Sequence, residues 1–211
     1  LHERGLHTTL NLHPAEGIRP HEAIYPAFAQ AMGLDPEHRE GIPFRISDRT
    51  YARHYFDLLH HPLERDGVDF WWVDWQHGTG SDIPGLDPLA WLNHLHWTDA
   101  ERRPERPLLL SRWPGLGGHR YPFAFSGDVV AGWPALAFEV RFTADTAGAG
   151  PVQWSHDIGG HFFGDDPELY ARWVQFGALS PALRLHGSRD DRSERLPWKF
   201  GEQAETCARE A

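Results

Sequence analysis

Short apolar runs alternate with longer stretches of helical spacing, and this pattern predicts the elements of the chain. Gly5 to Leu12 predicts a strand running into the polar segment Asn11-Leu12-His13-Pro14. Pro20 to about Met32 predicts a helix stopped by Gly33. A second helix runs from Asp48 to about Glu64, with Tyr51, Tyr55, Leu58 and Leu59 on one side. Between them and the next helix, Gly67 to Gly78 holds a buried strand. Alternation puts Phe70, Trp72 and Asp74 on one of its faces and Trp71 and Val73 on the other. Helices follow at Asp87 to about Arg103, at Trp133 to Asp145 (burying Leu136, Ala137 and Val140), at Asp166 to about Phe176 (burying Leu169, Trp173 and Phe176), and from Trp198 onward. The strands between them are Arg106 to Arg112, Tyr121 to Asp128, Pro151 to Asp157 and Ala182 to Gly187.

Strands that alternate with helices imply an α/β fold with a parallel sheet and right-handed crossovers. The polar residues suited to chemistry recur at the C-terminal ends of the strands: Asp74, Arg112, Asp128, Asp157 and His186. A (β/α)8 barrel keeps its active site there, and an open doubly wound sheet would bind a ligand there too. The open sheet lacks its usual companion, a Gly-rich phosphate loop. About six strands are expected where a barrel has eight. The expectation is therefore one partial (β/α)8 TIM-barrel domain over residues 1–211, truncated at both ends and holding about strands 3 to 8. The opening Leu1-His2-Glu3-Arg4-Gly5, without Met or a signal-peptide order, fits a cut chain.

Charge narrows the partners. With a formal net charge of -10 and no cluster of Lys and Arg, nucleic acid is not expected. No uninterrupted apolar run is long enough to cross a membrane, so no membrane partner is expected. Localisation stays open. The single Cys207 excludes an internal disulfide. Ten Trp are many for a core of this size, and flat indoles suit the apolar faces of sugar rings.

Three strand-end carboxylates with an Arg and a His suit acid/base and nucleophilic work on a glycosidic bond. Plainer roles stand beside this one: Asp74 capping its loop, and Asp128 and Asp157 as turn-formers. A metal-dependent hydrolase would draw on His13, His156, His161 and His186, but no pair has compact ligand spacing, and no metal or other cofactor is expected. His94 and His96 lie on a predicted helix and point apart. Ser126 and Ser155 lie outside any Gly-x-Ser-x-Gly elbow. A non-catalytic carbohydrate-binding fragment is the remaining alternative.

Four blocks, in order, resemble glycoside hydrolase family 31, the α-glucosidase and α-xylosidase family. They are Asp69-Phe70-Trp71-Trp72-Val73-Asp74; Gly118-His119-Arg120-Tyr121-Pro122 with Phe125-Ser126-Gly127-Asp128; Trp154-Ser155-His156-Asp157-Ile158-Gly159-Gly160; and Arg172-Trp173-Val174-Gln175-Phe176-Gly177 with Ser180-Pro181 and Arg184-Leu185-His186. The resemblance covers the chain from about Asn11 to its end. It implies a (β/α)8 catalytic domain that hydrolyses terminal α-linked sugars with retention, Asp74 as nucleophile and Asp128 as general acid/base. It also implies that Arg120, Asp157 and His186 hold the sugar, that Trp72, Trp113 and Trp154 wall the pocket, and that no metal or cofactor takes part. The substrate would be an oligosaccharide or glycoside. The other implied partner is the remainder of a parent chain, with the missing barrel strands and the family's flanking β domains. Trp75-Gln76 stand where many members have Asn-Glu or Gly-Glu, His156 where many have Ser, and His161 where many have Phe. These neighbours of the sugar leave the donor open among glucose, xylose, galactose and an N-acetylated sugar.

Overall fold

The computed structural model describes residues 1–74, 81–112, 115, 117–121, 123–149 and 153–211, save the side chains of Ala149 and Asp191. The chain forms two compact units, Leu1–Tyr121 and Pro122–Ala211.

In the first unit, three parallel strands form in sequence order: β1 (Thr9–Leu12), β2 (Phe70–Val73) and β3 (Leu109–Arg112). Asn11 pairs with Trp72 and Trp72 with Leu110, which sets the register and the faces. One face carries Asn11, Trp72, Leu110 and then Asp74 and Arg112. The other sends Trp71 and Val73 into a core with Phe28, Tyr51, Tyr55, Phe56, Leu89 and Leu92. The alternation expected for Phe70 to Asp74 is what the strand adopts.

Helix α1 (Tyr25–Ala31) starts later than the expected Pro20. Pro26 has no N–H to donate, so it fits the first turn of a helix and not its interior. The helix expected from Asp48 forms and is capped by Asp48, whose side chain accepts from the N–H groups of Thr50 and Tyr51. It is not uniform. Between α2 (Arg49–His54) and α3 (His61–Arg65) lies a π-helical stretch, Tyr55–His60, where the His61 N–H donates to the Phe56 carbonyl. Pro62 explains it, since its ring clashes with the carbonyl four residues back and supplies no donor. Helix α4 (Pro88–Ala100) is capped by Asp87 as the sequence predicts. His94 and His96 do point apart on it: His96 is buried and His94 exposed.

The second unit holds the parallel pair β4 (Phe123–Phe125) and β5 (Gln153–Ser155), with Ala124 opposite Trp154, and the helices α5 (Trp133–Ala149), α6 (Pro167–Ala178) and α7 (Glu202–Glu210). Three expectations are corrected here. Helix α5 buries Leu136 and Glu139, while Ala137 and Val140 face outward, Val140 at 45% exposure. A buried polar network, described below, sits where an apolar face was expected. The predicted last strand, Ala182 to Gly187, makes one parallel bridge, Ser155 to Ala182, and one further backbone bond, from the Ile158 N–H to the Arg184 carbonyl. The third concerns the final helix, which starts at Glu202. Residues Pro197–Phe200 form a 3-10 turn pinned by Phe200 stacking on Tyr170, ring centroids 3.9 Å apart. Helix α6 is capped by Asp166 and buries Leu169, Trp173 and Val174, with Phe176 partly covered. Among the described residues no helix is long and apolar enough to cross a membrane.

Candidate active site

Asp74 follows β2 on the face shared with Trp72, and only 5% of it is exposed. A carboxylate is costly to bury unless paired, and the neighbouring strand ends supply the partners. The Arg112 Nε, at the end of β3, donates to Oδ1 at 2.7 Å. The Asn11 Nδ2, on β1, donates to Oδ2 at 3.2 Å, and His13 Nε2 lies 3.4 Å from the same oxygen. The backbone N–H of Asp74 donates to the Leu12 carbonyl. The charge is thus held by a guanidinium and fixed in direction, and Asp74 is no simple loop cap. Asn11 lay outside the sequence assignment, and His13 entered it only as a candidate metal ligand. Their signal is the strand register, which sets Asn11 beside Trp72, two residues from Asp74 on the same face.

Arg120 is exposed on a 3-10 turn, Gly118–Arg120. It lines a cavity of about 330 Å³ with Leu86, Trp91, His94 and Tyr121, and Asp74 is not among the described residues of that lining. Trp113 lies outside the described residues.

In the second unit the two loops after β4 and β5 are zipped together. The N–H groups of His161 and Phe162 donate to the Val129 carbonyl, and that of Ala131 to the Phe162 carbonyl. Gly160 allows this approach: its φ is +84°, and a Cβ there would stand 2.6 Å from the Ala131 Cα. The zipper brings Asp128, from the first loop, beside His161, from the second, with 3.8 Å from Oδ2 to Nε2. Asp157, 1% exposed, is gripped from both sides. The Arg184 Nη2 donates to Oδ1, and His161 Nδ1 lies 2.9 Å from Oδ2. His186 stands against His161, ring centroids 5.1 Å apart. Asp128, Asp157 and His186 thus converge on one point, with His161 in the middle. Arg184 also donates to the Ser155 Oγ and lies over the Phe125 ring.

Trp154, expected as a pocket wall, instead points away from Asp157. It is 3% exposed and packs on Phe142 of α5 at 4.8 Å between ring centroids, because odd and even residues of a strand face opposite sides. Trp72 shares the Asp74 face and is 9% exposed.

Residue His156 faces the helices too, completely buried, with Thr143 Oγ1 2.7 Å from Nε2 and Ser126 Oγ 2.9 Å from Nδ1. Glu139 of α5 lies 3.7 Å from its Nδ1 and accepts from the Trp173 Nε1 at 2.8 Å. Burial pushes Glu139 up to about 7 and His156 down to about 4. Between about pH 4.5 and 6.5 the folded pair therefore holds one proton, on Glu139. The unfolded chain also holds one, on His156, and the pair contributes no slope of stability with pH. Glu139→Gln removes the balance. His156 alone, depressed in the folded state, contributes stability that is present above 6.5 and lost as pH falls toward 4. The stability of the variant relative to the parent is expected to rise with pH by up to about 1.4 kcal/mol per unit between 4.5 and 6.5. Urea midpoints of both proteins at the two ends of that window measure it, and a constant difference would refute the pairing.

Among the described residues two trios bring ligand atoms within 4.8 Å of one another: Asp157, His161 and His186, and His61, Glu64 and Asp99. Each already contains a carboxylate bound by a guanidinium, Asp157 by Arg184, and Glu64 and Asp99 by Arg102. A second cation at either place would be repelled by that arginine, so the donor sets fit ion-pair networks better than a metal centre.

Residue Arg195, absent from the sequence assignment, is 4% exposed and holds the Gly159-Gly160 loop from beneath. Its Nε donates to the Gly160 carbonyl at 2.6 Å, its Nη2 to that of Phe163 and its Nη1 to that of Gly164 at 3.4 Å. A Cβ on Gly159 would stand 2.7 Å from the Arg195 Cδ. No local motif announces an arginine that lies 35 residues from its partner.

Comparison with known proteins follows the same lines. The glycosyl hydrolases family 31 TIM-barrel domain matches residues 1–211. An α-xylosidase of Emericella nidulans is 41% identical over 103 residues, 49% of this chain and 13% of the xylosidase. The neutral α-glucosidase AB of Mus musculus is 35% identical over 107 residues, 51% of this chain and 11% of its own length. The crystal structure of a family 31 α-glucosidase from Bacteroides thetaiotaomicron superposes with a TM-score of 0.71 at 26% identity, covering 99% of this chain and 39% of that one. A cycloalternan-degrading enzyme from Trueperella pyogenes gives a TM-score of 0.76 at 18% identity over 99% of this chain and 35% of its own. The chain spans only 11 to 13% of the curated relatives named here.

Proposed function

The chain belongs to glycosyl hydrolase family 31, as part of its TIM-barrel domain, and from that premise we propose that it carries the catalytic groups of a retaining exo-α-glycosidase. The carrying observation is Asp74: a buried carboxylate at a strand end, held in direction by Arg112 and Asn11, as a nucleophile must be. In the proposed first step an Asp74 oxygen attacks the anomeric carbon of a terminal α-linked sugar. The bond to the leaving oxygen breaks as Asp128 gives it a proton. In the second step Asp128 takes a proton from water, the water oxygen attacks the same carbon, and the bond to Asp74 breaks. Two inversions give net retention.

Asp157 and His186, gathered beside Asp128, are proposed to hold sugar hydroxyls, as is Arg120. Trp72, on the Asp74 face, is proposed as a wall of the pocket. No step in this scheme calls for a metal or an organic cofactor. Residues 1–211 are taken as a single partial (β/α)8 domain, with the rest of a parent chain as its partner. The xylosidase and glucosidases among the relatives favour a xylo- or gluco-configured donor.

The test is the anomer first released by the intact protein from an aryl α-glucoside or α-xyloside, followed by proton NMR before mutarotation. The α-anomer is expected. The β-anomer would overturn retention, and no turnover of any α-glycoside would favour a carbohydrate-binding role.

A further inference from the structure

We infer that His156 is a positioning residue for Asp128: its imidazole, locked in the core of the second unit, anchors the Ser126 hydroxyl and so fixes the start of the turn that aims the Asp128 carboxyl. The inference rests on the acid/base reading of Asp128 given above. Its observation is a completely buried ring with a hydroxyl at each nitrogen, Ser126 Oγ 2.9 Å from Nδ1 and Thr143 Oγ1 2.7 Å from Nε2.

Asp128 lies between two anchors. At one end the Ser126 N–H donates to the Ser155 carbonyl at 3.1 Å, and the Ser126 hydroxyl meets His156. At the other end the Val129 carbonyl accepts from the N–H groups of His161 and Phe162, at 2.9 and 3.0 Å. Only Gly127 and Asp128 lie between these points, and Gly127, with φ +92°, makes the turn. A segment this short takes its direction from its ends. The anchor at Val129 is made by backbone groups alone. The anchor at Ser126 adds a side chain, and a single substitution can remove it.

The ring has little freedom to turn away. Thr143 holds Nε2 from α5. Glu139, one helical turn earlier on the same side of α5, stands 3.7 Å from Nδ1 and accepts from Trp173 of α6. The Phe176 ring, also of α6, lies against the imidazole with centroids 5.4 Å apart. Burial pushes His156 down to about 4, so at neutral pH one ring nitrogen donates and the other accepts. A hydroxyl can do either, and both bonds form whichever nitrogen carries the hydrogen. The link therefore holds in either tautomer. It ties the turn that carries Asp128 to two helices of the core. A general acid works only within hydrogen-bond reach of the leaving oxygen, so a small shift of that turn is felt in proton transfer first.

The experiment uses the intact protein carrying this chain, with Ser126→Ala, His156→Gln, His156→Asn and Asp128→Ala. Ser126→Ala deletes one oxygen. In His156→Gln the amide reaches the place of Nε2 and keeps Thr143 while losing Ser126. In His156→Asn it reaches the place of Nδ1 and keeps Ser126. The readout is kcat/KM on aryl α-glycosides of good leaving groups, whose departure needs no proton, and of poor ones, whose departure needs the acid. In Ser126→Ala the value for poor leaving groups is expected to fall by about tenfold, and that for good ones by less than about twofold. A loss of folded protein would lower both alike. His156→Gln is expected to show the same split, and His156→Asn to recover about fivefold of it.

Asp128→Ala separates the two readings. Loss confined to poor leaving groups supports Asp128 as the acid/base. If it behaves so and Ser126→Ala lowers poor and good substrates alike, or neither, the positioning role is overturned and the acid/base reading stands. A split as deep in His156→Asn as in His156→Gln overturns the positioning role likewise. If Asp128→Ala affects poor and good leaving groups alike, both readings are overturned.

Discussion

Asp74→Ala is expected to lower turnover by at least about 10⁴-fold in the intact protein, with the fold kept. No described neighbour can substitute for it, because the groups around it are donors: Arg112, Asn11 and the His13 ring. The structural penalty is small beside the kinetic one, since Arg112 is 22% exposed and water can reach the place the Asp74 carboxylate leaves. Added azide can enter the space left by the side chain and attack from the face Asp74 occupied, giving a β-glycosyl azide from an α-glycoside. Rates near those of the parent in Asp74→Ala, without azide, would remove the nucleophile assignment.

The second large effect is expected at Arg195. In Arg195→Ala the buried carbonyl of Gly160 and the part-buried carbonyls of Phe163 and Gly164 lose this donor together, and a buried acceptor left unpaired costs about 1–3 kcal/mol. Water entering the vacated space recovers part of this, so a local loss of about 3 kcal/mol is expected. Because the loop carries Asp157 and His161, activity falls with it. Hydrogen exchange over residues 157–164 is the direct measurement: their amides should exchange about 100-fold faster in the variant, while those of α4 in the first unit are unchanged. Equal protection in variant and parent would show that the zipper with residues 129–131 holds the loop without the arginine.

Much of this was legible along the chain. Asp48, Asp87 and Asp166 each precede a helical pattern and each caps its helix, because capping is a contact between residues two or three apart. The face of Asp74 followed from strand alternation alone. Other features were misread for an equally local reason. The apolar spacing of Leu136, Ala137 and Val140 suggested the buried side of α5, but Glu139 took a place there, its Oε2 accepting from Trp173 and standing 3.7 Å from the His156 ring. The resemblance made Trp154 a pocket wall, but it stands three positions before Asp157, and that odd offset turns it to the helices.

The sequence by itself determined the order of strands and helices, their caps, and the chemical groups at the strand ends, since these depend on neighbours within a turn or a strand. Tertiary structure alone decided which of those groups meet. Arg112 and Asn11 reach Asp74 across strand register, Arg184 and His161 grip Asp157 across loops, and Arg195 supports a loop far from it in sequence. Such pairings are set by parallel packing and by the close approach that glycine permits, and no spacing within one segment encodes them.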